Sequence, residues 1–235
     1  MTVAADIATN VFRVREQMAE AAARAGREPD SVRLVAVTKT FPPETIQAGY
    51  ECGLRDFGEN RVQEFREKLP SLHTPGATFH LIGHLQSNKV HPAMAFDWIQ
   101  TVDSERLARR LSQAAMETQK PISVLIEVKM GEEETKTGVP ETELAGLVAV
   151  VASLEGLGLR GLMAMPPYLE DPEGSRPYFR RLRELRDHLQ ESGFPQLPEL
   201  SMGMTRDFRI AIEEGATIVR VGTALFGPRS VAAKQ

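Results

Sequence analysis

One cysteine, Cys52, is all the chain contains, so no intramolecular disulfide can form and a reducing compartment is the simpler setting. No stretch approaches the roughly 20 apolar residues that a membrane-crossing helix needs. The opening segment MTVAADIATNVFRVREQ also lacks an apolar signal core and a cleavage site. A cytoplasmic location with no membrane partner is the expectation. Basic blocks are missing too: 28 Lys and Arg against 32 Asp and Glu leave a formal net charge of -4. That balance argues against a nucleic-acid partner and leaves room for a small phosphate only. No Pro/Gly/Ser-rich linker divides the 235 residues, so the chain reads as a single domain. Its 42% hydrophobic and 26% charged residues are ordinary for a globular protein with a large core.

What is present is alternation. Ile7, Val11, Val14 and Met18 recur at helical spacing before Gly26 and Pro29, which predicts an N-terminal helix within residues 1–27, outside the main repeat. Eight β-rich runs follow, at 32–38, 56–59, 78–83, 97–102, 122–128, 159–165, 199–203 and 217–222. Helical stretches are predicted between them at 43–52, 61–69, 87–95, 104–118, 141–154, 175–191 and 206–214. Pro43 and Pro140 suit helix first turns, and Asp103, Ser104 and Asp171 are candidate caps. Eight strands favour a closed (β/α)8 TIM barrel over 32–227, with 228–235 as a tail, over an open doubly wound sheet, which usually stops at about five to seven strands. The loop MPPYLEDPEGSRP, residues 165–177, reads as either a lid or a surface connection.

A barrel works at the C-terminal ends of its strands. Lys39 follows the first strand and shares a face with Val35 and Val37. Partial desolvation there lowers an ammonium pKa and frees the amine to attack a carbonyl, although a lysine that merely snorkels at a strand end reads the same from this strand alone. After the seventh and eighth strands come SMGMTRD and RVGTALFG. Ser201, Gly203 and Thr205 stand in one turn and Gly222 and Thr223 in the other, where hydroxyls and close-approaching backbone suit a phosphate. If Val219 and Val221 face the outer helices, Arg220 points inward and needs a partner: Glu59 or Glu127 in a core salt bridge, or a ligand. Two decoys fall away. GEEETKTG lacks the P-loop glycine before its lysine and reads as a solvated loop, while Gly83 breaks the metal-ligand spacing of His80 and His84, so no metal is expected. His80 reads better as a contact to a ligand ring near the barrel mouth. Cys52 reads as helix packing.

The segments LVAVTKTFP, FGENRVQE, FHLIGHLQSNK, GLMAMPP, LSMGMTRDFRIAIEEGATIVRVGTALFG and, more loosely, EETKTGV together resemble the YggS/PROSC family of pyridoxal 5'-phosphate (PLP) homeostasis proteins. They run from the first strand to residue 227. The resemblance implies a PLP-binding barrel like the N-terminal domain of alanine racemase (PLP fold type III), with Lys39 in a Schiff base with PLP. Asn60 is placed near the cofactor ring, Ser201, Gly203, Gly222 and Thr223 at the phosphate, and Arg220 at the pyridine nitrogen. One departure is Arg206, where the family commonly has an acid.

An arginine facing the pyridine cannot protonate it, which leaves a weak electron sink and disfavours transaminase-like chemistry. The second domain that brings related racemases a tyrosine is not expected here, since the sequence reads as the barrel alone; the tyrosines Tyr50, Tyr168 and Tyr178 fall in predicted helix or loop. The expected function is therefore intracellular PLP (vitamin B6) homeostasis, as a monomeric carrier or regulator serving PLP-dependent apo-enzymes, without robust catalysis. The alternatives are an amino-acid racemase and a lysine Schiff-base aldolase on a phosphorylated substrate.

Overall fold

In the computed structural model, residues 3–131, 137–194 and 197–228 are described. Residues 132–136 of GEEETKTG, and the expected tail beyond Pro228, lie outside the described residues. The eight apolar runs form β1 (Arg33–Val37), β2 (Asp56–Glu59), β3 (Thr78–Leu81), β4 (Trp98–Val102), β5 (Ile122–Glu127), β6 (Leu157–Met163), β7 (Glu199–Ser201) and β8 (Ile218–Val221). All pair in parallel with their sequence neighbours, and β8 returns to β1 with Leu34 opposite Val219, closing the barrel.

The helices are α1 (Val3–Arg24), α2 (Pro43–Glu51), α3 (Val62–Lys68), α4 (Val90–Ala93), α5 (Glu105–Thr118), α6 (Glu141–Ser153), α7 (Arg176–Glu191), α8 (Phe208–Glu213) and α9 (Thr223–Phe226). Among the described residues none is long and apolar enough to cross a membrane. α1 lies outside the barrel against α8 and α9, burying Ile7, Val11, Val14, Met18 and Ala21 as one stripe. Ser104 Oγ accepts from Leu107 N–H and caps α5, and Asp171 caps the 3-10 turn Pro172–Ser175 inside the long loop.

Three local expectations change. The helix expected over 87–95 splits into a 3-10 turn, Ser87–Lys89, and the four-residue α4, because Pro92 supplies no N–H to continue the ladder. The stretch from 206 starts its helix only at Phe208, since the Asp207 carboxylate accepts from Met204 N–H at 2.6 Å and holds 204–207 as a turn. Pro140 stands at the N-cap of α6, one residue before its first turn.

Side-chain alternation divides the core in two. Outward residues such as Ala36, Phe57, Ile126, Val219 and Val221 pack under the helices. There Phe65 from α3 meets Phe79 and Phe96 at ring separations of 4.7 and 4.3 Å. Inward, Val35, Leu125, Met163 and Ile218 form a separate small cluster, with His80, Gln100, Ser201 and Arg220 buried beside them on strands of the same barrel. Phe65→Ala should cost about 3–5 kcal/mol in urea unfolding. Phe12, 65% exposed on α1, should change stability by less than about 0.5 kcal/mol on the same substitution; equal costs would contradict this division of the core.

Candidate functional site

At the C-terminal end of the strands lies a cavity of about 270 Å³. Lys39 follows β1, Asn60 follows β2, Ile82 follows β3, Thr205 follows β7, and Gly222 and Thr223 follow β8, with Arg220 also in the wall. Met165 to Leu169, from the loop after β6, also line it, as does Arg206. Five of the eight residues singled out for a cofactor therefore meet in one cavity: Lys39, Asn60, Arg220, Gly222 and Thr223.

The backbone around Lys39 is pinned on both sides. Ahead of it, the Thr38 carbonyl accepts from Lys68 Nζ at 3.1 Å and the Thr38 hydroxyl donates to Glu59 Oε1 at 2.7 Å. Behind it, Thr40 takes a left-handed φ of 68° and its N–H donates to Glu64 Oε1 at 2.6 Å. A β-branched residue adopts that conformation only when its surroundings impose it, at roughly 1–3 kcal/mol. Lys68 Nζ joins both supports, 2.8 Å from Glu59 and 2.6 Å from Glu64. Burial pushes the Glu59 carboxyl up, against Lys68 and Thr38, which pull it down. Sequence reading missed this clamp; the i,i+4 pair of Glu64 and Lys68 on a predicted helix was its only trace.

On the phosphate-type turns, glycine is required at 203. Gly203 has φ 89°, and a Cβ there would stand 2.5 Å from the Ala211 Cβ and 3.0 Å from the Phe208 Cα. Gly222 packs on β1, where a Cβ would lie 3.3 Å from both the Val37 Cβ and carbonyl oxygen. Thr205 Oγ accepts a long bond from Gly222 N–H at 3.4 Å.

Three expected positions need correction. His80 is not at the barrel mouth. Its ring lies fully buried one layer below Ile82, stacked 5.5 Å from Trp98 and 3.0 Å from both Asp56 and Gln100, because residues 80 and 82 share a face at successive depths. Ser201 is also fully buried and bonds Gln100 and Arg220, and neither it nor Gly203 lines the cavity. No salt bridge joins Arg220 to Glu59 or Glu127 among the described residues; Arg220 donates instead to Ser201 Oγ at 2.6 Å and the Ala164 carbonyl at 2.9 Å. Burial lowers its pKa to about 10, opposed by Glu127 and Asp207, and it remains cationic at neutral pH.

Arg206 reaches across to the long loop. It donates to the Tyr168 hydroxyl and, at 2.6 Å, to the Glu170 carbonyl, with its guanidinium 4.8 Å from the Tyr168 ring centre. That loop is thereby tied over the cavity. His84 lies 3.3 Å from Asp103, and no metal-ligating cluster occurs among the described residues. Burial and the adjacent Glu51 push the Cys52 thiol up, away from nucleophilic use.

The sequence model of the family described as alanine racemase, N-terminal domain, matches residues 10–230. A pyridoxal phosphate homeostasis protein of Aquifex aeolicus is 49% identical over 218 residues, 92% of this chain and 96% of that one. The protein of that name from Escherichia coli is 40% identical over 238 residues, 97% of this chain and 99% of its own. The chain belongs to the pyridoxal phosphate homeostasis protein family. PipY of Synechococcus elongatus, whose structure was determined with PLP bound, superposes on this family member with a TM-score of 0.85 at 38% identity, covering 94% of this chain and 100% of that one. An alanine racemase of Clostridium difficile shares the fold alone, with a TM-score of 0.76 at 14% identity over 95% of this chain and 56% of the racemase.

Two outcomes follow from the buried charges. Lys68→Met strands the Glu59 carboxylate, and urea unfolding should register a loss of about 3–5 kcal/mol, partly recovered when Glu59→Gln is added; a neutral single variant contradicts the clamp. Burial holds His80 below the ordinary value of about 6.5, ahead of Asp56, which acts the other way. Its stabilising contribution is full above about pH 6.5 and is lost as pH falls toward the lowered value, because the unfolded chain takes up that proton first. Glu59 and Glu127, both pushed up by burial, act in the opposite sense, their destabilisation easing as pH falls. Melting temperature should therefore decline less steeply with acidification in His80→Gln than in the parent, and parallel curves would refute the assignment.

Proposed function

We propose that the protein binds pyridoxal 5'-phosphate covalently through Lys39 at the barrel mouth, and serves PLP homeostasis as a monomeric carrier that passes the cofactor to PLP-dependent apo-enzymes. The observation that carries the reading is convergence: an amine at the end of β1, the Thr205 hydroxyl from the turn after β7, Gly222 and Thr223 after β8, and a buried guanidinium share one cavity. The donor set fits a phosphorylated pyridine aldehyde. Gly222 lets the β8 backbone close on Val37 at the cavity wall, Thr205 and Thr223 bring hydroxyls for phosphate oxygens, and Arg220 brings a cationic donor for the ring nitrogen.

When bound, PLP supplies an aldehyde that condenses reversibly with an amine and a ring that withdraws electrons. The protein's residues determine how far that chemistry goes. Arg220 stays protonated and has no proton to give the ring nitrogen, so the ring is left a weak electron sink. Lys39 is held on a backbone fixed by Glu59, Glu64 and Lys68, which sets the point from which its side chain enters the cavity. Asn60 and the loop residues Met165 to Leu169 line the same cavity. Gly203 and Ser201 support the site from behind it, Gly203 through the turn into α8 and Ser201 through Arg220.

A second reading, an amino-acid racemase, draws on one observation: Tyr168 lines the same cavity as Lys39 and offers a second acid/base there. Turnover of an amino-acid panel lost in both Lys39→Ala and Tyr168→Phe would favour it. For the first reading, a PLP titration followed by visible absorption should give a saturating band in the parent and none in Lys39→Ala, with PLP retention falling at least tenfold. A parent protein that takes up no PLP, or a Lys39→Ala variant that keeps the band, overturns it.

A further inference from the structure

Four hydrogen bonds in series cross the barrel interior and involve five strands. Arg220 on β8 donates to Ser201 Oγ on β7 at 2.6 Å, and Ser201 Oγ donates to Gln100 Oε1 on β4 at 2.6 Å. Gln100 Nε2 then meets His80 Nδ1 on β3 at 3.0 Å, and His80 Nε2 meets Asp56 Oδ1 on β2 at 3.0 Å. The directions follow from the two ends together. The Arg220 guanidinium only donates, which leaves the Ser201 hydrogen for the Gln100 oxygen, and the Asp56 carboxylate only accepts, so a neutral His80 carries its hydrogen on Nε2. Its bare Nδ1 then accepts from the Gln100 amide nitrogen.

The three middle members are fully buried. Apolar side chains could fill that space without needing partners, so a polar series there is tolerated only when each member is satisfied, and then it is stiff. One end is the guanidinium in the cavity wall, and the other is a carboxylate at the opposite, N-terminal rim, 3.8 Å from Arg33. We infer that Asp56, His80, Gln100 and Ser201 form a positioning relay that locks the Arg220 guanidinium in one orientation at the cavity, leaving its other N–H groups for the cofactor's ring nitrogen. This rests on the proposed PLP reading for the ligand, but not for the relay itself.

The relay works only with neutral His80, since a hydrogen on Nδ1 would confront the Gln100 amide. The groups facing that ring are Asp56 on β2, Arg33 on β1, and Asp97, Trp98 and Gln100 at or on β4. Burial and Arg33 favour the neutral form over the pull of the two carboxylates, burial most.

Nitrogen-15 NMR on the PLP-free protein tests the relay, together with PLP titrations of Gln100→Leu and Ser201→Ala. In the parent, His80 should be the neutral Nε2–H form at neutral pH, and the Arg220 guanidinium hydrogens should exchange slowly. In each variant that exchange should quicken at least tenfold, and the PLP dissociation constant should rise roughly tenfold while the adduct on Lys39 still forms. Ser201→Thr, which keeps the hydroxyl, should restore both. A protonated or Nδ1–H His80, or Arg220 exchange unchanged in both variants, overturns the inference. If the parent binds no PLP but the NMR results hold, the proposed function falls and the relay stands.

Discussion

The edge between β1 and β8 is the contact on which the site depends. Residues 39 and 222 are separated by most of the chain, and only the pairing of Leu34 with Val219 and Ala36 with Val221 sets them at neighbouring strand ends. The closure is tight at its upper end, where Gly222 has no side chain and lets the β8 backbone lie against Val37. An amine and a phosphate-type turn therefore share one cavity. A slip of one residue along that edge would turn Arg220 outward under the helices and Val219 inward, since strand side chains alternate.

Having set the mouth, the fold supports it by different means on its two sides. Lys39 is held from outside the barrel, by a helix whose Glu64 and Lys68 reach the peptide groups flanking it and hold Thr40 in a conformation it would otherwise avoid. Arg220 is held from inside, by polar side chains buried beside the apolar cluster of Val35, Leu125, Met163 and Ile218. Both arrangements bury ionisable groups, and both are the kind of network in which removing one member harms the remainder more than the pair itself contributes. The fixed backbone at residue 39 and the bonded guanidinium are what the proposed covalent site calls for. The Arg206–Tyr168 contact ties down the remaining, looped side of the cavity.

Much of this was legible in the sequence, for identifiable reasons. Parallel strands buried on both faces read as short apolar runs, so the strand count and the closed barrel could be read directly. Alternation placed Lys39 with Val37 and turned Arg220 inward between two outward valines. Alternation gives the face, however, and not the depth: His80 has the correct inward parity but sits a layer too low to reach the mouth, and Ser201 likewise. Partner choice was less legible still. Glu59 and Arg220 are both buried, yet Glu59 pairs with Lys68, which sequence alone would leave as an exposed helix residue, and Arg220 finds a serine instead of a carboxylate. Gln100, an amide in the strand WIQTV, carried no signal of its link to four other strands. Those pairings are set by three-dimensional closure, which periodicity does not encode.

The covalent role of Lys39 is the central claim, and peptide mapping addresses it most directly. The protein would be incubated with PLP, reduced with borohydride, digested and analysed by mass spectrometry. Near-stoichiometric modification confined to the peptide that carries Lys39 is expected. Modification spread over other lysines with the Lys39 peptide untouched, or no modification at all, would contradict it.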